Sequence, residues 1–323
     1  MYESPERILL HRDKLAEIMK GKLVPPVTCD LEISWMCNQK CNWCVFRKYH
    51  KKKFLPLTSI DKALKFCNRY NVPWIILSGA GEPTIHPEFT EVLKLFQTHH
   101  LKFVLFTNGS NLNKYVHHFH PSLKYLRVSL DAATSSTYSK LHNTPKEIFD
   151  QILNSLIFIR KEYKTLHIGL SFVISKYNKN EIQDFIELAS LIQANEVLFR
   201  NDISIKKKDI GYIRIKPPKR NHDIKINLRD CENWKLIPSI CYGSYLKIVI
   251  DPDGNIPVCC SLRKQNEILG NINRTTIQDI WFSSHHKNLL SELDLFKCPP
   301  CRIKECNLMV ENSIKDFKFI DII

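Results

Sequence analysis

The chain has 323 residues, 44% of them apolar and 25% charged, and carries a formal net charge of +14. That is the composition of an ordinary globular protein, large enough for one sizeable core or for a barrel with an appendage. No apolar run approaches the roughly 20 residues of a membrane span, nine glycines without an internal repeat exclude a solenoid, and the mixed-charge start Met1 to Lys20 is no secretory signal. The expectation is a soluble cytoplasmic protein with no membrane partner. The positive excess suits an acidic partner, whether a phosphorylated metabolite, nucleic acid or an acidic electron-donor protein. It equally suits lysines spread over solvated faces in a Lys-, Asn- and Ile-rich composition.

In chain order, Ile8, Leu9, Leu15, Ile18 and Met19 fit one face of an amphipathic N-terminal helix, within an extension over 1–26. Val27 to Trp35 reads as the first strand, with Cys29, Leu31, Ile33 and Trp35 on one face. Thr58 is a candidate N-cap for a helix running to Tyr70. Further strands are expected over Trp74–Ser78, Lys102–Thr107, Tyr125–Leu130, His167–Ile174 and Glu196–Phe199. Helices are expected over Pro87–His99, most of Ser135–Lys164 and Asn180–Ile192. Six strand–helix alternations with strands apolar on both faces imply a parallel sheet with right-handed crossovers.

The polar motifs fall at the C-terminal ends of those strands. A cysteine loop follows the first, Gly79-Ala80-Gly81-Glu82-Pro83 the second and Asn108-Gly109 the third, while Ser129 and Asp131 close the fourth. In a (β/α) barrel these ends share one face, and that face carries the active site. The stretch 201–238, with Lys206-Lys207-Lys208 and Lys216-Pro217-Pro218-Lys219-Arg220, reads as a linker or exposed hairpin. From 239 to 323 the chain reads as a small cysteine-rich α+β domain. There Lys247–Ile250, the turn Asp251-Pro252-Asp253-Gly254 and a return strand Ile256–Cys259 look like a hairpin that brings Cys241 and Cys259 together.

Of the 12 cysteines, seven lie in two groups: Cys37, Cys41 and Cys44, then Cys259, Cys260, Cys298 and Cys301. In a large unsecreted chain that favours metal over disulfides. Three thiolates on one short loop suit an iron–sulfur cubane and leave one of its irons without a protein ligand. Zinc stays open as the other reading, with His50 as the candidate fourth ligand. The basic run Arg47-Lys48-Tyr49-His50-Lys51-Lys52-Lys53 follows directly, at the mouth of any site there.

Cys37-Asn38-Gln39-Lys40-Cys41-Asn42-Trp43-Cys44 resembles the signature of the radical S-adenosylmethionine (SAM) enzymes, Cys-x-x-x-Cys-x-aromatic-Cys, with Trp43 as the aromatic. The resemblance runs over about 27–200, the length of that family's partial (β/α)6 TIM-type barrel. It implies that Cys37, Cys41 and Cys44 hold a 4Fe-4S cluster whose fourth iron binds SAM. Gly79, Ala80, Gly81 and Glu82 look like the family's Gly-Gly-Glu-Pro segment with alanine at its second position, Glu82 meeting the methionine ammonium. Asn108, Ser129 and Asp131 fall where the family contacts SAM, and Arg200 is placed to pair with the methionine carboxylate.

Cys241, Cys259, Cys298 and Cys301 resemble the SPASM/twitch domains appended to many such enzymes. The pattern is incomplete after Cys301, where only Cys306 follows, so one auxiliary 4Fe-4S cluster is expected, with a structural zinc as the alternative. Cys260 adjoins a ligand and, in a strand, points the other way. The resemblance implies that a flavodoxin or ferredoxin supplies electrons and that SAM is cleaved to a 5′-deoxyadenosyl radical. Substrate oxidation assisted by the auxiliary cluster is the leading expectation. A redox-neutral epimerase or mutase is the alternative, with Cys260, Cys231 or Cys306 returning hydrogen, and a non-catalytic iron–sulfur or zinc protein is a third. Only 36 residues precede the loop, which favours a small-molecule substrate over a peptide. No nucleic-acid-binding module is recognisable, although a nucleic-acid substrate stays open.

Overall fold

In the computed structural model, which describes residues 5–202, 216–219, 223–229, 237–299, 301 and 303–320, eight strands among the described residues form one sheet. They are β1 (Thr28–Glu32), β2 (Trp74–Ser78), β3 (Phe103–Thr107), β4 (Leu123–Ser129), β5 (His167–Ile174), β6 (Glu196–Asn201), β7 (Lys225–Arg229) and β8 (Lys247–Ile250). The order is β7-β6-β5-β4-β3-β2-β1-β8, and every neighbouring pair is parallel. Helices cross between the first six strands: α2 (Leu57–Arg69), α3 (Phe89–Thr98), α4 (Leu112–Tyr115), α5 (Ser135–His142), α6 (Glu147–Glu162) and α7 (Ile182–Ile192). The six strands expected from sequence are all present, as an α/β partial barrel.

The two-residue period of each strand sorts its side chains into two environments. Cys29, Leu31, Ile33, Ile75, Leu77, Phe103, Leu105, Leu126, Val128, Ile168, Leu170, Val197 and Phe199 point outward and pack with Ala63, Phe96, Ile152 and Phe185 of the helices. Each large side chain buried this way contributes about 1.5–3 kcal/mol. The alternate residues face the concave side, which mixes apolar Ile76, Val104 and Tyr125 with charge. Lys247 on β8 pairs there with Asp30 on β1. The Tyr125 hydroxyl donates to Glu196. Gly169 makes room for it, because a Cβ at that position would lie 2.2 Å from the Tyr125 oxygen.

Four local expectations are corrected. The 201–238 stretch, read as linker or hairpin, contains β7, which extends the parallel sheet beyond β6. The Lys247–Cys259 hairpin does not form: β8 pairs with β1, while β9 (Asn255–Pro257) pairs antiparallel with β10 (Ile268–Asn271). An apolar Lys-Ile-Val-Ile run has both faces to bury, and the open edge of β1 offers that where a lone hairpin does not. Thr58 lies inside α2, which starts at Leu57 behind Pro56 and has no side-chain cap. Pro56 fixes its own φ and its carbonyl receives the N–H groups of Ser59 and Ile60. Met19 is exposed rather than on the buried face.

The N-terminal segment, α1 (Arg12–Met19), packs against the far end of the chain. Leu15, Ile18, Val24 and Val27 share an apolar cluster with Tyr242 and Leu246 of α8 (Tyr242–Leu246) and Val310 of a long last helix. The indole N–H of Trp281 donates to the Val24 carbonyl at 2.8 Å. Among the described residues no helix is long and apolar enough to cross a membrane.

Candidate iron–sulfur and cofactor site

The chain leaves β1 into a long loop that returns beside its own start. Leu55 donates to the Ile33 carbonyl at 2.9 Å, Trp35 donates to the Lys53 carbonyl at 3.0 Å, and Ser34 and Phe54 form an antiparallel bridge. The neck is therefore closed, and the loop between has the form of an Ω-loop. Cys37, Cys41 and Cys44 lie in it, each partly exposed. Arg47 braces it from within, donating to the Cys41 carbonyl at 2.6 Å.

Two barrel elements hold the loop from outside. Asn38 donates to Ser110 Oγ at 2.8 Å and accepts from Asn108 Nδ2 at 2.9 Å, which pins the Cys37 side to the end of β3. Lys40 and Asn42 donate their backbone N–H to the carbonyls of His142 and Leu141 at 3.0 and 3.1 Å. Gln39 donates to the Tyr138 hydroxyl at 2.7 Å. The last turn of α5, with carbonyls no helix bond can use, becomes the seat of the loop.

The thiols of Cys37 and Cys41 resist ionisation as they stand. Burial, then the charge of Glu82, pushes Cys37 up to about 11, and burial with Asp131 nearby pushes Cys41 higher still. A cationic centre reverses that balance, since a coordinating thiol is deprotonated outright. The donor set thus fits an iron–sulfur cluster. Among the described residues no three His, Cys, Asp or Glu side chains gather around a single-ion position. His50, the zinc candidate, has Nε2 3.9 Å from Cys44 Sγ and 2.8 Å from the Ala80 carbonyl.

The glycine-rich segment runs alongside the loop. Gly81 donates to the Ser34 carbonyl at 3.1 Å and Glu82 to the Met36 carbonyl at 2.8 Å. A Cβ on Gly81 would sit 2.1 Å from the Met36 oxygen, so only glycine fits there. Ala80 is buried without such a conflict, which explains why the second position accepts a methyl.

Glu82, 2% exposed, is held on both oxygens. Oε1 accepts from Thr84 N and Oγ1 and from Thr107 Oγ1 at 3.0, 2.6 and 2.6 Å. Oε2 accepts from Asn108 N at 2.7 Å. Burial nevertheless raises its pKa. Asn108 also turns its side-chain nitrogen toward Cys37 Sγ, at 3.9 Å. At the end of β4, Ser129 Oγ accepts from Ser171 at 3.2 Å. Asp131 sits at φ +57° with Oδ1 accepting from Val173 N at 2.6 Å. Burial pushes that carboxyl up to about 7, against the charges of Arg200 and Arg127.

Sequence reasoning missed Gln39, Tyr138 and His142. His142 is 1% exposed, has Nδ1 3.1 Å from Cys41 Sγ and Nε2 3.5 Å from Asp131 Oδ2. Trp43 meets its ring edge-on at a centroid distance of 5.8 Å. The available signal was the pair Tyr138 and His142 at i, i+4, two polar-tipped aromatics on one face of a rim helix.

The second group of cysteines also comes together. Cys241, Cys259, Cys260, Cys298 and Cys301 line one cavity with Lys247 and Lys304. Backbone N–H groups point at two of the sulfurs, Ser261 at Cys259 and Ile303 at Cys301, both at 3.4 Å. Gly243 lets the segment approach Ile303 of the last helix, α11 (Ile303–Ile320), where a Cβ would meet Cγ2 at 2.2 Å. Burial and the neighbouring sulfurs raise Cys259 and Cys298, the same chemistry of fit as in the first loop. The strand ends at Pro257, so Cys259 and Cys260 lie in a bend and line the same cavity, contrary to the expected alternation. Cys306, on α11, is not among the residues lining it, and Cys231 lies outside the described residues.

A partial barrel with a three-thiol loop at its C-terminal rim and a thiol-lined cavity beside it defines a cofactor-dependent iron–sulfur enzyme. The radical SAM superfamily model matches residues 31–189 and the SPASM iron–sulfur cluster-binding domain matches 241–307. The chain belongs to the radical SAM superfamily and carries a C-terminal SPASM-type domain, and its cofactors are 4Fe-4S clusters and SAM. It is 24% identical over 230 residues to a GTP 3′,8-cyclase of Psychromonas ingrahamii, covering 69% of this chain and 66% of that one. A protein from Saccharolobus solfataricus named "Probable GTP 3′,8-cyclase" is 26% identical over 171 residues, covering 52% of this chain and 54% of that one. The chain therefore spans between about half and two thirds of these curated relatives. Streptococcus suis SuiB bound to S-adenosylmethionine shares the fold, with a TM-score of 0.68 at 16% identity over 90% of this chain and 75% of that one. SuiB has also been solved with its precursor peptide SuiA.

Proposed function

We propose that this enzyme oxidises a small anionic substrate, with one auxiliary cluster of the twitch type. The observation that carries the reading is the cavity that Cys241, Cys259, Cys298 and Cys301 line together with Cys260, the first four being the number of thiolates one cubane takes. Under this reading Cys37, Cys41 and Cys44 hold the SAM-binding cluster. Gly79 to Glu82, Asn108, Ser129, Asp131 and Arg200 surround SAM. The organisation is an N-terminal extension over 1–26, a barrel that starts at 27 and takes in β7 and β8, and a cysteine-rich region within 239–323. A cytoplasmic flavodoxin or ferredoxin supplies electrons.

When bound, the first cluster with SAM supplies a 5′-deoxyadenosyl radical that takes a hydrogen atom from substrate, and the auxiliary cluster supplies an acceptor for the electron left behind. The chain's own residues set the stage. Gly81 lets backbone come close, Glu82 provides a fixed carboxylate for an ammonium, and the closed neck holds the cysteine loop in place. Arg127 and Arg200, whose charges both reach Asp131, favour an anionic substrate. The nucleotide in the name of the cyclase relatives agrees with that. A peptide substrate, as named for SuiB, is the competing class. Turnover assays with a nucleotide panel against a peptide panel distinguish the two.

The test of the oxidation is Cys298→Ala with Cys301→Ala. Iron should fall by about four atoms per chain, 5′-deoxyadenosine should still form, and oxidised product should be lost. Unchanged product formation would sink the proposal. Because Cys260 shares the cavity, a redox-neutral reaction in which its thiol returns hydrogen is the second reading. Solvent deuterium incorporated at the product carbon, and lost in Cys260→Ala, would establish it.

A further inference from the structure

His142 has no role in the reading above, and its surroundings give it one. Its ring is enclosed between Trp43, edge-on at 5.8 Å, and Tyr138, tilted at 4.4 Å. Its backbone carbonyl and that of Leu141 receive the Lys40 and Asn42 N–H groups, so the end of α5 and the cysteine loop are held in register. Nε2 faces Asp131 Oδ2 at 3.5 Å. Asp131 is itself fixed by Val173 N on Oδ1 and by Asn178 Nδ2 on its carbonyl, at 2.6 and 2.8 Å. The Leu130 carbonyl also lies against the ring, Nε2 makes no hydrogen bond, and Nδ1 lies 3.1 Å from Cys41 Sγ.

We infer that His142 is a positioning residue that donates a hydrogen bond from Nδ1–H to the Cys41 sulfur and thereby raises the reduction potential of the cluster. The inference rests on the reading in which Cys37, Cys41 and Cys44 hold that cluster. A sulfur bound to iron carries no proton, so at this distance the imidazole must be the donor; a nitrogen lone pair would be repelled. Reduction adds negative charge to the cluster and its sulfurs, and a fixed N–H dipole stabilises the reduced form more than the oxidised one. Burial matters as much as distance: with the imidazole 1% exposed, water cannot compete for the bond, and the low local dielectric strengthens it.

Among the described residues neither of the other two thiols has a side-chain donor as close, although the Gln39 backbone N–H also reaches Cys37. The Asn108 amide is 3.9 Å from Cys37 Sγ. His50 Nε2 is 3.9 Å from Cys44 Sγ and lies against the Ala80 carbonyl instead. The bond therefore singles out one corner of the cluster. It makes the cluster easier to reduce by a weak physiological donor.

The experiment is done on the native protein first. The enzyme is labelled with 15N-histidine, its cluster reduced without SAM, and examined by pulsed EPR in H2O and D2O. A coupled imidazole 15N and a coupled exchangeable proton are expected. His142→Phe keeps the ring packing and removes the donor, while His142→Asn keeps a donor near the Nδ1 position. In EPR-monitored redox titrations His142→Phe should show a reduced fraction about tenfold smaller at fixed poise, equivalent to about 59 mV for one electron. His142→Asn should recover most of the loss. A native 4Fe-4S signal without imidazole coupling overturns the inference, as does a fully loaded His142→Phe with unchanged potential. If His142→Phe fails to load, the native 15N measurement decides alone. No 4Fe-4S signal from these three cysteines in the native protein would instead overturn the reading on which the inference stands, and the inference with it.

Discussion

Arg263, from the cysteine-rich region, reaches into the barrel and grips Glu32 of β1 with both terminal nitrogens, at 2.9 and 2.6 Å. Its Nε–H donates to the Cys260 carbonyl at 2.8 Å. The guanidinium lies 5.4 Å from the Trp35 ring and 5.5 Å from the Phe46 ring, both on the first cysteine loop. One side chain thus touches the barrel, the first cysteine loop and the second group of cysteines. Both partners are nearly inaccessible, at 4% and 5%. Removing one of them strands a buried charge, so Glu32→Gln or Arg263→Met alone should cost about 3–5 kcal/mol. The double replacement Glu32→Leu with Arg263→Met should cost less than the sum of the singles, and denaturant unfolding measures both. Additive losses would show that the pair is not coupled.

The glycine segment yields a sharper contrast. Gly81→Ala drives a methyl into the Met36 carbonyl, and since that oxygen belongs to backbone the cysteine loop must shift. Iron loading at the first site should fall by about four atoms per chain. Ala80→Gly should load normally and lose at most about 1 kcal/mol of stability. Iron analysis after anaerobic reconstitution separates the two, and equal loading would contradict the close approach.

Glu82→Gln is a near-isosteric change with a predictable conflict. Whichever way the amide turns, its NH2 faces donors: Asn108 N–H on one side, or Thr84 N–H and the two threonine hydroxyls on the other. One buried donor is left unmet, costing about 1–3 kcal/mol. Loss of the charge should also weaken SAM about 10- to 100-fold, the worth of a charge-assisted bond. Equilibrium SAM binding and thermal unfolding check the two effects separately.

Asp131 predicts a pH dependence. Its carboxyl is raised by burial from the usual 3.8 to about 7, so between those values the folded protein holds a proton that the unfolded chain has released. Stability from this group is therefore present at low pH and lost as pH rises toward 7. Asp131→Asn keeps the acceptor for Val173 N–H and removes the titration. Between pH 5 and 8 the wild type should lose stability relative to the variant, on the order of a few kcal/mol. Parallel pH profiles would show that Asp131 titrates normally.

What was legible in the sequence was whatever obeyed a period or a spacing. The alternation of Cys29, Leu31 and Ile33 put β1 in place, and the cysteine triplet with Glu82 and Asp131 marked the rim, because strand ends and motifs coincide in a parallel barrel. The 247–259 region was misread for a physical reason: proximity in sequence suggested a hairpin, but the apolar β8 gains more at the edge of β1. The strand's early end at Pro257 likewise undid the alternation argument for Cys260. The i, i+4 pair of Tyr138 and His142 marked one face of a rim helix, but the partner of His142, Cys41, lies 101 residues away and only the folded rim brings them together.

The pairing of β8 with β1 also orders the birth of the molecule. As the chain emerges from the ribosome, β1 finds its inner neighbour β2 early, yet its outer edge keeps unpaired N–H and C=O groups until Ile250 has been made. Such an edge recruits other strands, and slow, long-range closures of this kind expose a chain to misassembly. A version truncated ahead of Lys247 should therefore aggregate rather than survive as a free barrel. The cysteine-rich tail is thus also structural, because it brings the strand that closes the outer edge of β1.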